Sequence, residues 1–321
     1  MAATLPTLYV AQLLPEPVMT AIREQFRLTV PPGTHPPARQ ALLAGFREAQ
    51  AAICTLTERV DEDVLVAAPH LKVLANYAVG YNNISLDAAK ARGVIVTNTP
   101  DVLTEATADL TWALLLATAR RIPEGDSLVR QGSWTGWEPT QMLGAEVSGK
   151  RLGVIGMGRI GRAVARRSTG FGMSVCYATR SDVAASSVAP SWLRLPFEEV
   201  LAESDFLSLH VPLTTDTHHL IGPAEFRRMR PTAFLINTSR GAVVDEAALV
   251  EAVRGGWIAG AGLDVYEREP DLHPGLRELR QVVTLPHLGS ATLSTRIRMG
   301  MVCLENIRAV LDGRPAPNRV A

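Results

Sequence analysis

The sequence predicts an α/β protein of parallel sheets joined by crossover helices. Three observations predict it. Short apolar strands alternate with helical stretches through residues 1–98, an apolar strand meets a glycine-rich turn and passes into an amphipathic helix at residues 150–167, and the alternation then resumes.

Taken in order, the strands expected in the first part are Thr7 to Ala11, Ala51 to Leu56, Lys72 to Ala75 and Val94 to Thr97. Pro31-Pro32-Gly33 and Pro36-Pro37 must be loop. After Thr97-Asn98-Thr99-Pro100 comes a long helix from about Val102 to Ala119, apolar on nearly every face, the composition of a helix buried between domains. Gln131 to Leu143 contains Trp134, Trp137, Gly132, Gly136 and Pro139 and breaks all periodicity, so it reads as an extended loop. Beyond the glycine turn, strands are expected at Ser174 to Ala178, Phe206 to His210, Ala233 to Asn237, Ala259 to Leu263 and Val282 to Thr284. A final helix, Ser290 to Leu311, would take Ser290 or Thr292 as its N-cap and has Gly313 just past its end.

The turn reads Gly156-Met157-Gly158-Arg159-Ile160-Gly161 after the apolar run Leu152 to Ile155. In a dinucleotide-binding unit the first glycine permits the tight turn, the second lets the backbone approach a pyrophosphate, and the third lets helix and strand pack closely. The amides and dipole at the helix start then face the anion. A bare GxGxxG can also be a structural turn; the readable strand before it and helix after it favour the cofactor.

Composition sets further bounds. With 321 residues and 47% hydrophobic content, the chain can fill one large core or two of ordinary domain size, the second being favoured. Formal net charge is zero, which argues against a nucleic-acid or membrane partner held by bulk electrostatics. Cys54, Cys176 and Cys303 are few and far apart, and read as buried small apolar residues in a reducing compartment. The N-terminus has no basic segment followed by an apolar signal core, and the most apolar helix stretch, Leu110 to Ala119, is too short to span a bilayer. A cytoplasmic protein without membrane or nucleic-acid partners is expected.

Four blocks now make a resemblance specific: GMGRIG, NTSRGAVVDE at Asn237 to Glu246, GLDVYEREP at Gly262 to Pro270, and LPHLGSAT at Leu285 to Thr292. Together with NYAVGYNNIS at Asn76 to Ser85 and HVPLTTDTHHLIG at His210 to Gly222, they resemble the D-isomer-specific 2-hydroxyacid dehydrogenases over essentially the whole chain. WTGWEPTQMLGAEVSGKRLGVIGMGRIG is most similar to the glyoxylate and hydroxypyruvate reductases. The resemblance implies two doubly wound, parallel-sheet (Rossmann-like) domains, with the cofactor domain inserted in the substrate domain. Residues 1–98 and 288–321 would form the substrate domain and residues 99–287 the NAD(P)-binding domain, with hinges near Asn98 and near His287 to Gly289.

Reducing a 2-keto acid requires a cation for the carboxylate, a proton donor for the developing alkoxide and a nicotinamide facing the carbonyl. Arg240, Glu269 and His287 each follow an expected strand, where ligands bind in an open parallel sheet. His287 would be the general acid/base, Glu269 its partner with Glu267 as a nearby competitor, and Arg240 the planar fork for the carboxylate. The resemblance also implies that Val79 and Gly80 hold the substrate carboxylate through backbone amides, and that Thr238, Asp264 and Gly289 line the cofactor, with Asp264 near the nicotinamide. Asn82 stands where relatives commonly show Asp. Ser290 would touch substrate or cap the last helix. His210 reads as structural, and His218 and His219 as neighbours pointing apart with no ligand cluster for a metal.

At the strand end after the glycine helix, where NAD-specific sites carry an acid, the chain reads Thr179-Arg180-Ser181. These would surround a 2′-phosphate and favour NADPH, with NADH as the second cofactor; the competing reading has Asp182 reach the ribose. The two tryptophans of the 131–143 loop need a partner surface. The resemblance implies a homodimer in which Trp137 approaches the neighbour's substrate site. The expected activity is NAD(P)H-dependent reduction of glyoxylate or hydroxypyruvate. Reduction of 2-ketogluconate or another small 2-keto acid, formate or phosphite oxidation, and a corepressor-like NAD-binding regulator are the alternatives.

Overall fold

The computed structural model describes residues 5–32, 36–180 and 182–321. It divides into two compact units, Met1–Leu103 with Ser290–Ala321, and Thr104–Gly289. Gly33 of the first proline-rich loop, and Ser181, lie outside the described residues.

The first unit is built on five parallel strands, β1 Thr7–Val10, β2 Arg27–Thr29, β3 Ala51–Cys54, β4 Val73–Asn76 and β5 Ile95–Thr97, in the order β2-β1-β3-β4-β5. β1, β3 and β4 are buried at every residue, so their unbroken apolar runs are those of parallel strands covered on both faces. The crossovers are α1 Glu16–Arg23, α2 Arg39–Arg47, α3 Glu62–Val66 and α4 Leu86–Ala91. The unit continues past Asn98 to Leu103 because Val96 and Asn98 are still bonded through their amides to Ala321 and Asn318. The chain leaves it through Asp101, in the left-handed region at φ 68°.

The second unit carries α5 Thr104–Ala119, α6 Ile122–Arg130, α7 Arg159–Arg167, α8 Phe197–Glu203, α9 Pro223–Arg228 and α10 Glu246–Arg254. Its strands are β6 Arg151–Ile155, β7 Ser174–Ala178, β8 Leu193–Arg194, β9 Phe206–Leu209, β10 Phe234–Asn237, β11 Gly260–Leu263 and β12 Val282–Thr284. They form one parallel sheet, β12-β11-β10-β9-β6-β7-β8, with the order reversing between β6 and β9. α5 and α7 supply the core on one face and α8, α9 and α10 on the other. α5 packs its buried residues against α7, β10 and β11, while Glu105, Asp109 and Ala113 stay exposed and the two acids pair with Arg166 and Arg167 of α7.

After Gly289 the chain returns to the first unit as α11 Leu293–Leu311. Its N-cap is Thr292, whose hydroxyl accepts from the Thr295 amide at 3.2 Å; the helix therefore starts later than Ser290, and Ser290 does not cap it. Gly313, at φ 74°, follows its end. Two strands, β2 and β8, add to those expected; both are edge strands of three residues or fewer in which only Leu28 is even half-buried, which leaves no hydrophobic period to read. The three cysteines are free and buried, as expected of small apolar core residues.

Candidate active site

In the second unit the loops after β10, β11 and β12 lie side by side, because these strands are neighbours in register. Asn237 ends β10 and shapes the turn after it: its Oδ1 accepts from the amide and hydroxyl of Ser239 at 3.0 and 2.8 Å, and its Nδ2 donates to the Arg240 carbonyl at 2.9 Å. Arg240 follows, half-buried, with Nη1 donating to the Ser239 carbonyl. Burial pulls its pKa down from the ordinary arginine range, while the Glu269 carboxylate acts in the opposite sense.

His287 lies beyond β12 in the left-handed region at φ 54°, a conformation rare for a residue with a side chain. Its amide donates to the Asp264 carbonyl at 3.0 Å, and the next two amides, of Leu288 and Gly289, donate to the Asp264 carboxylate at 2.6 and 2.8 Å. The ring is thus pinned at its backbone. His287 Nδ1 lies 2.8 Å from Glu269 Oε2, while Glu269 Oε1 accepts from the Tyr266 amide at 3.1 Å. Burial alone would raise the Glu269 carboxyl, but the hydrogen bond and charge of His287 outweigh it and hold the group below the usual carboxylate range. Asp264 is more buried, and burial lifts its pKa above the usual range against the two amides and His287.

Glu267 does not compete for this imidazole. Its Oε1 lies 2.8 Å from His219 Nε2 and accepts from the Glu246 amide at 3.1 Å, on the α10 side of the loop. A histidine bonded at Nδ1 to a carboxylate, with Nε2 left to an incoming oxygen and a guanidinium on the adjacent loop, can exchange a proton with a carbonyl oxygen whose carboxylate is held nearby.

Residues 112–289 match the D-isomer specific 2-hydroxyacid dehydrogenase, NAD binding domain, family. A glyoxylate reductase of Thermococcus litoralis is 47% identical over 321 residues, covering 98% of this chain and 96% of the relative. A crystal structure of a protein from Thermus thermophilus superposes with TM-score 0.92 at 45% identity, covering 98% of this chain and 100% of that one. An NADPH-dependent glyoxylate/hydroxypyruvate reductase from Sinorhizobium meliloti, solved with NADP and malonate, superposes with TM-score 0.88 at 34% identity, covering 98% and 97%. The chain belongs to the D-isomer specific 2-hydroxyacid dehydrogenases. Its reaction is the reduction of a 2-keto acid to the 2-hydroxy acid with a nicotinamide cofactor.

In the glycine turn of this dehydrogenase the three glycines differ in what a side chain would meet. Gly156 has φ 96°, and a Cβ there would stand 2.6 Å from the His210 carbonyl oxygen. A Cβ on Gly161 would meet the Gly156 oxygen at 2.1 Å, so helix and strand pack at a distance only glycine allows. A Cβ on Gly158, the N-cap of α7, would meet no protein atom within 4 Å, so its smallness serves no internal packing. Met157 is buried beside it, Arg159 and Ile160 open the helix, and Thr238 is buried with its hydroxyl 2.8 Å from that of Thr111. Thr179 and Arg180 follow β7; Arg180 is exposed and pairs with Asp216 at 3.0 Å, and Asp182 pairs with Arg194 at 2.9 Å.

In the first unit, Val79 and Gly80 lie in the loop after β4, where Asn98 Nδ2 donates to the Val79 carbonyl and Asn76 Nδ2 to the Gly80 carbonyl, both at 2.8 Å. Ser290 opens the return of the chain to this unit. Trp137 is 80% exposed and Trp134 53%. His210 keeps to a structural place: its Nε2 lies 2.8 Å from the Ser208 hydroxyl, and burial pushes its pKa down to about 3. His218 and His219 do not point apart; their rings stack at 4.1 Å, because His219 turns the chain through φ 50°. Gly241 and Tyr266 carry the site without a local signal to single them out: a Cβ on Gly241 would stand 1.8 Å from the Tyr266 carbonyl carbon, so the Arg240 and Glu269 loops touch through backbone.

Proposed function

We propose that the protein is an NADPH-preferring reductase of glyoxylate or hydroxypyruvate, acting in the cytoplasm as a homodimer. The observation that carries the reading is the Glu269–His287 pair at 2.8 Å beside Arg240 on the adjoining loop. His287 gives its Nε2 proton to the substrate carbonyl oxygen in reduction and takes it back in oxidation. Glu269 fixes the tautomer through Nδ1. Arg240 grips the substrate carboxylate and adjacent oxygen with two donors, which aligns the carbonyl with the acid. The cofactor, when bound, supplies the hydride.

The second unit is the NAD(P)-binding domain and the first the substrate domain. Gly156, Met157, Gly158, Arg159, Ile160 and Gly161 hold the pyrophosphate, a reading supported by the close packing at Gly156 and Gly161 and the open space beside Gly158. Thr238, Asp264 and Gly289 line the nicotinamide side. Val79 and Gly80 hold the substrate carboxylate by their amides; their carbonyls are already taken by Asn98 and Asn76. Ser290 touches the substrate, since Thr292 already caps α11.

NADPH is favoured because no carboxylate stands at the end of β7 and Arg180 follows Thr179 there. The Arg180 pair with Asp216 is exposed on both sides, worth at most about 1 kcal/mol, and is readily exchanged for a phosphate. Ser181 would add a hydroxyl. The dimer is supported by exposed apolar residues concentrated on α6 and the loop after it, Ile122, Val129, Trp134, Trp137 and Leu143, and by α6 burying no residue within its own chain. Trp137 would reach the other subunit's substrate.

The test is a steady-state panel of glyoxylate, hydroxypyruvate, pyruvate and 2-ketogluconate with both cofactors, on wild type and His287→Asn. The expected result is highest kcat/KM for glyoxylate or hydroxypyruvate with NADPH, and a drop of about 10²- to 10⁴-fold in turnover for His287→Asn with cofactor binding kept. Near-normal turnover by that variant, or a preference for 2-ketogluconate, would overturn the corresponding part of the reading.

A further inference from the structure

The loop that carries Glu269 is closed at both ends by one side chain. Glu246, the first residue of α10, is 6% exposed, and its two carboxylate oxygens point to opposite ends of the loop. Oε1 accepts from the Glu267 amide at 2.7 Å, and Oε2 accepts from the His273 amide at 2.9 Å. Between these two anchors lie Arg268, Glu269, Pro270, Asp271 and Leu272. The first anchor is reciprocal, since the Glu246 amide donates to Glu267 Oε1 at 3.1 Å. Glu267 therefore supplies an acceptor for the first turn of α10 alongside Asp245, the N-cap, whose side chain accepts from the Ala248 amide. His219 completes the clasp at 2.8 Å from Glu267, and its own amide donates to the Ala242 carbonyl at 2.8 Å, tying a third segment to the strand of chain between Arg240 and Glu246.

A buried carboxylate is costly to desolvate unless each oxygen is met by a donor, and both are met here by amides of a single loop. Nothing in the packing of α10 requires an acid at this place: the rest of its inner face is Ala248, Leu249, Val250, Ala252 and Val253. The acid acts on the loop. We propose that Glu246 is a positioning residue for the reduction, bracing the Glu267–His273 loop so that Glu269 stays in register with His287. The proposal rests on the catalytic reading of Glu269 and His287 given above.

Two perturbations isolate the brace. Glu246→Gln keeps the shape but sets an NH₂ group against one loop amide, releasing one anchor. His273→Pro removes the donor at the other anchor with no change of backbone angle, since His273 already has φ −56°, which proline adopts; it also removes the imidazole that accepts from the Gly275 amide at 3.2 Å, so His273→Ala, which loses that ring but keeps the amide, is its control. Both Glu246→Gln and His273→Pro should lower kcat for 2-keto acid reduction by about 10-fold or more, in line with the sensitivity of catalysis to small misplacement. The NADPH dissociation constant, read by fluorescence titration, should stay within about twofold, and the high-pH fall of kcat/KM should begin at lower pH than in wild type. His273→Ala should match wild type in that pH profile.

His287→Asn is measured alongside. If it retains turnover, the catalytic reading fails. If it is inactive while Glu246→Gln and His273→Pro keep wild-type kcat and pH profile, the brace is wrong and the catalytic reading stands. Should Glu246→Gln not fold, the His273→Pro and His273→Ala comparison decides by itself.

Discussion

Replacing Gly241 with alanine should disable the chemistry while leaving cofactor binding intact. The added Cβ would stand 1.8 Å from the Tyr266 carbonyl carbon, 2.0 Å from its oxygen and 2.4 Å from the Glu267 nitrogen, against 3.4 Å for the onset of ordinary contact. The shortfall is 3.4 minus 1.8, or 1.6 Å, and all three obstructing atoms are backbone, so no side chain can rotate out of the way. The displacement falls on Tyr266 and Glu267, immediately before Glu269, whose Oε1 accepts from the Tyr266 amide. A shift of that size breaks the 2.8 Å bond to His287 or pulls Arg240 off its loop position. Misplacement by about 1 Å can cost about 10²-fold in rate, so kcat should fall by at least that factor. Overpacking of this kind also costs about 1–3 kcal/mol of stability, which the unit can absorb without unfolding. The assay is kcat at saturating cofactor and substrate, with NADPH affinity by fluorescence and the melting temperature as companions. A Gly241→Ala enzyme with kcat within threefold of wild type would refute the claim that the two loops are held in register by backbone contact.

Arg180→Ala should raise KM for NADPH far more than KM for NADH, and equal effects on the two would remove Arg180 from the phosphate site. His210, with its pKa lowered to about 3 from 6.5, leaves the unfolded chain binding the extra proton between those values. Its contribution to stability is therefore complete above pH 6.5 and is lost as the pH falls, by at most about 1.4 kcal/mol per unit. Urea unfolding at pH 7 and pH 5 should show a smaller acid loss in His210→Gln than in wild type; the same loss in both would count against it. Trp137→Ala should change the preference among 2-keto acids with NADPH affinity kept. Activity recovered in verified hybrids of Trp137→Ala and His287→Asn subunits would support a crossed site, whereas a monomer by sedimentation would end that proposal.

What could be read from the chain before folding depends on how local its cause is. β7 and β12 have the bounds expected of them, and the buried strands β1, β3, β4, β9, β10 and β11 differ from expectation by a residue or two at their ends, because burial on both faces is written into consecutive residues. β2 and β8 lack such a run, being edge strands of two or three residues with no fully buried side chain. The start of α11 was ambiguous between two hydroxyl residues, and only the bond from the Thr295 amide chooses Thr292. Within the site, spacing after a strand is enough to bring Arg240 and His287 to the carboxyl ends of β10 and β12, but it cannot choose between Glu267 and Glu269 in an irregular loop. That choice is made by where each carboxylate finds donors. Glu269 takes the Tyr266 amide and the His287 ring; Glu267 takes the Glu246 amide and the His219 ring. Both carboxylates thus sit between one backbone amide and one imidazole, and what separates the acid at the chemistry from the acid at the scaffold is that the imidazole facing Glu269 follows the carboxyl end of β12, where a parallel sheet receives its ligand. The partners of Glu246 are 21 and 27 residues away and are backbone amides. Every residue but proline offers an amide, so such a partnership leaves no trace in residue type, and a positioning acid of this kind becomes visible only when the chain has folded around it.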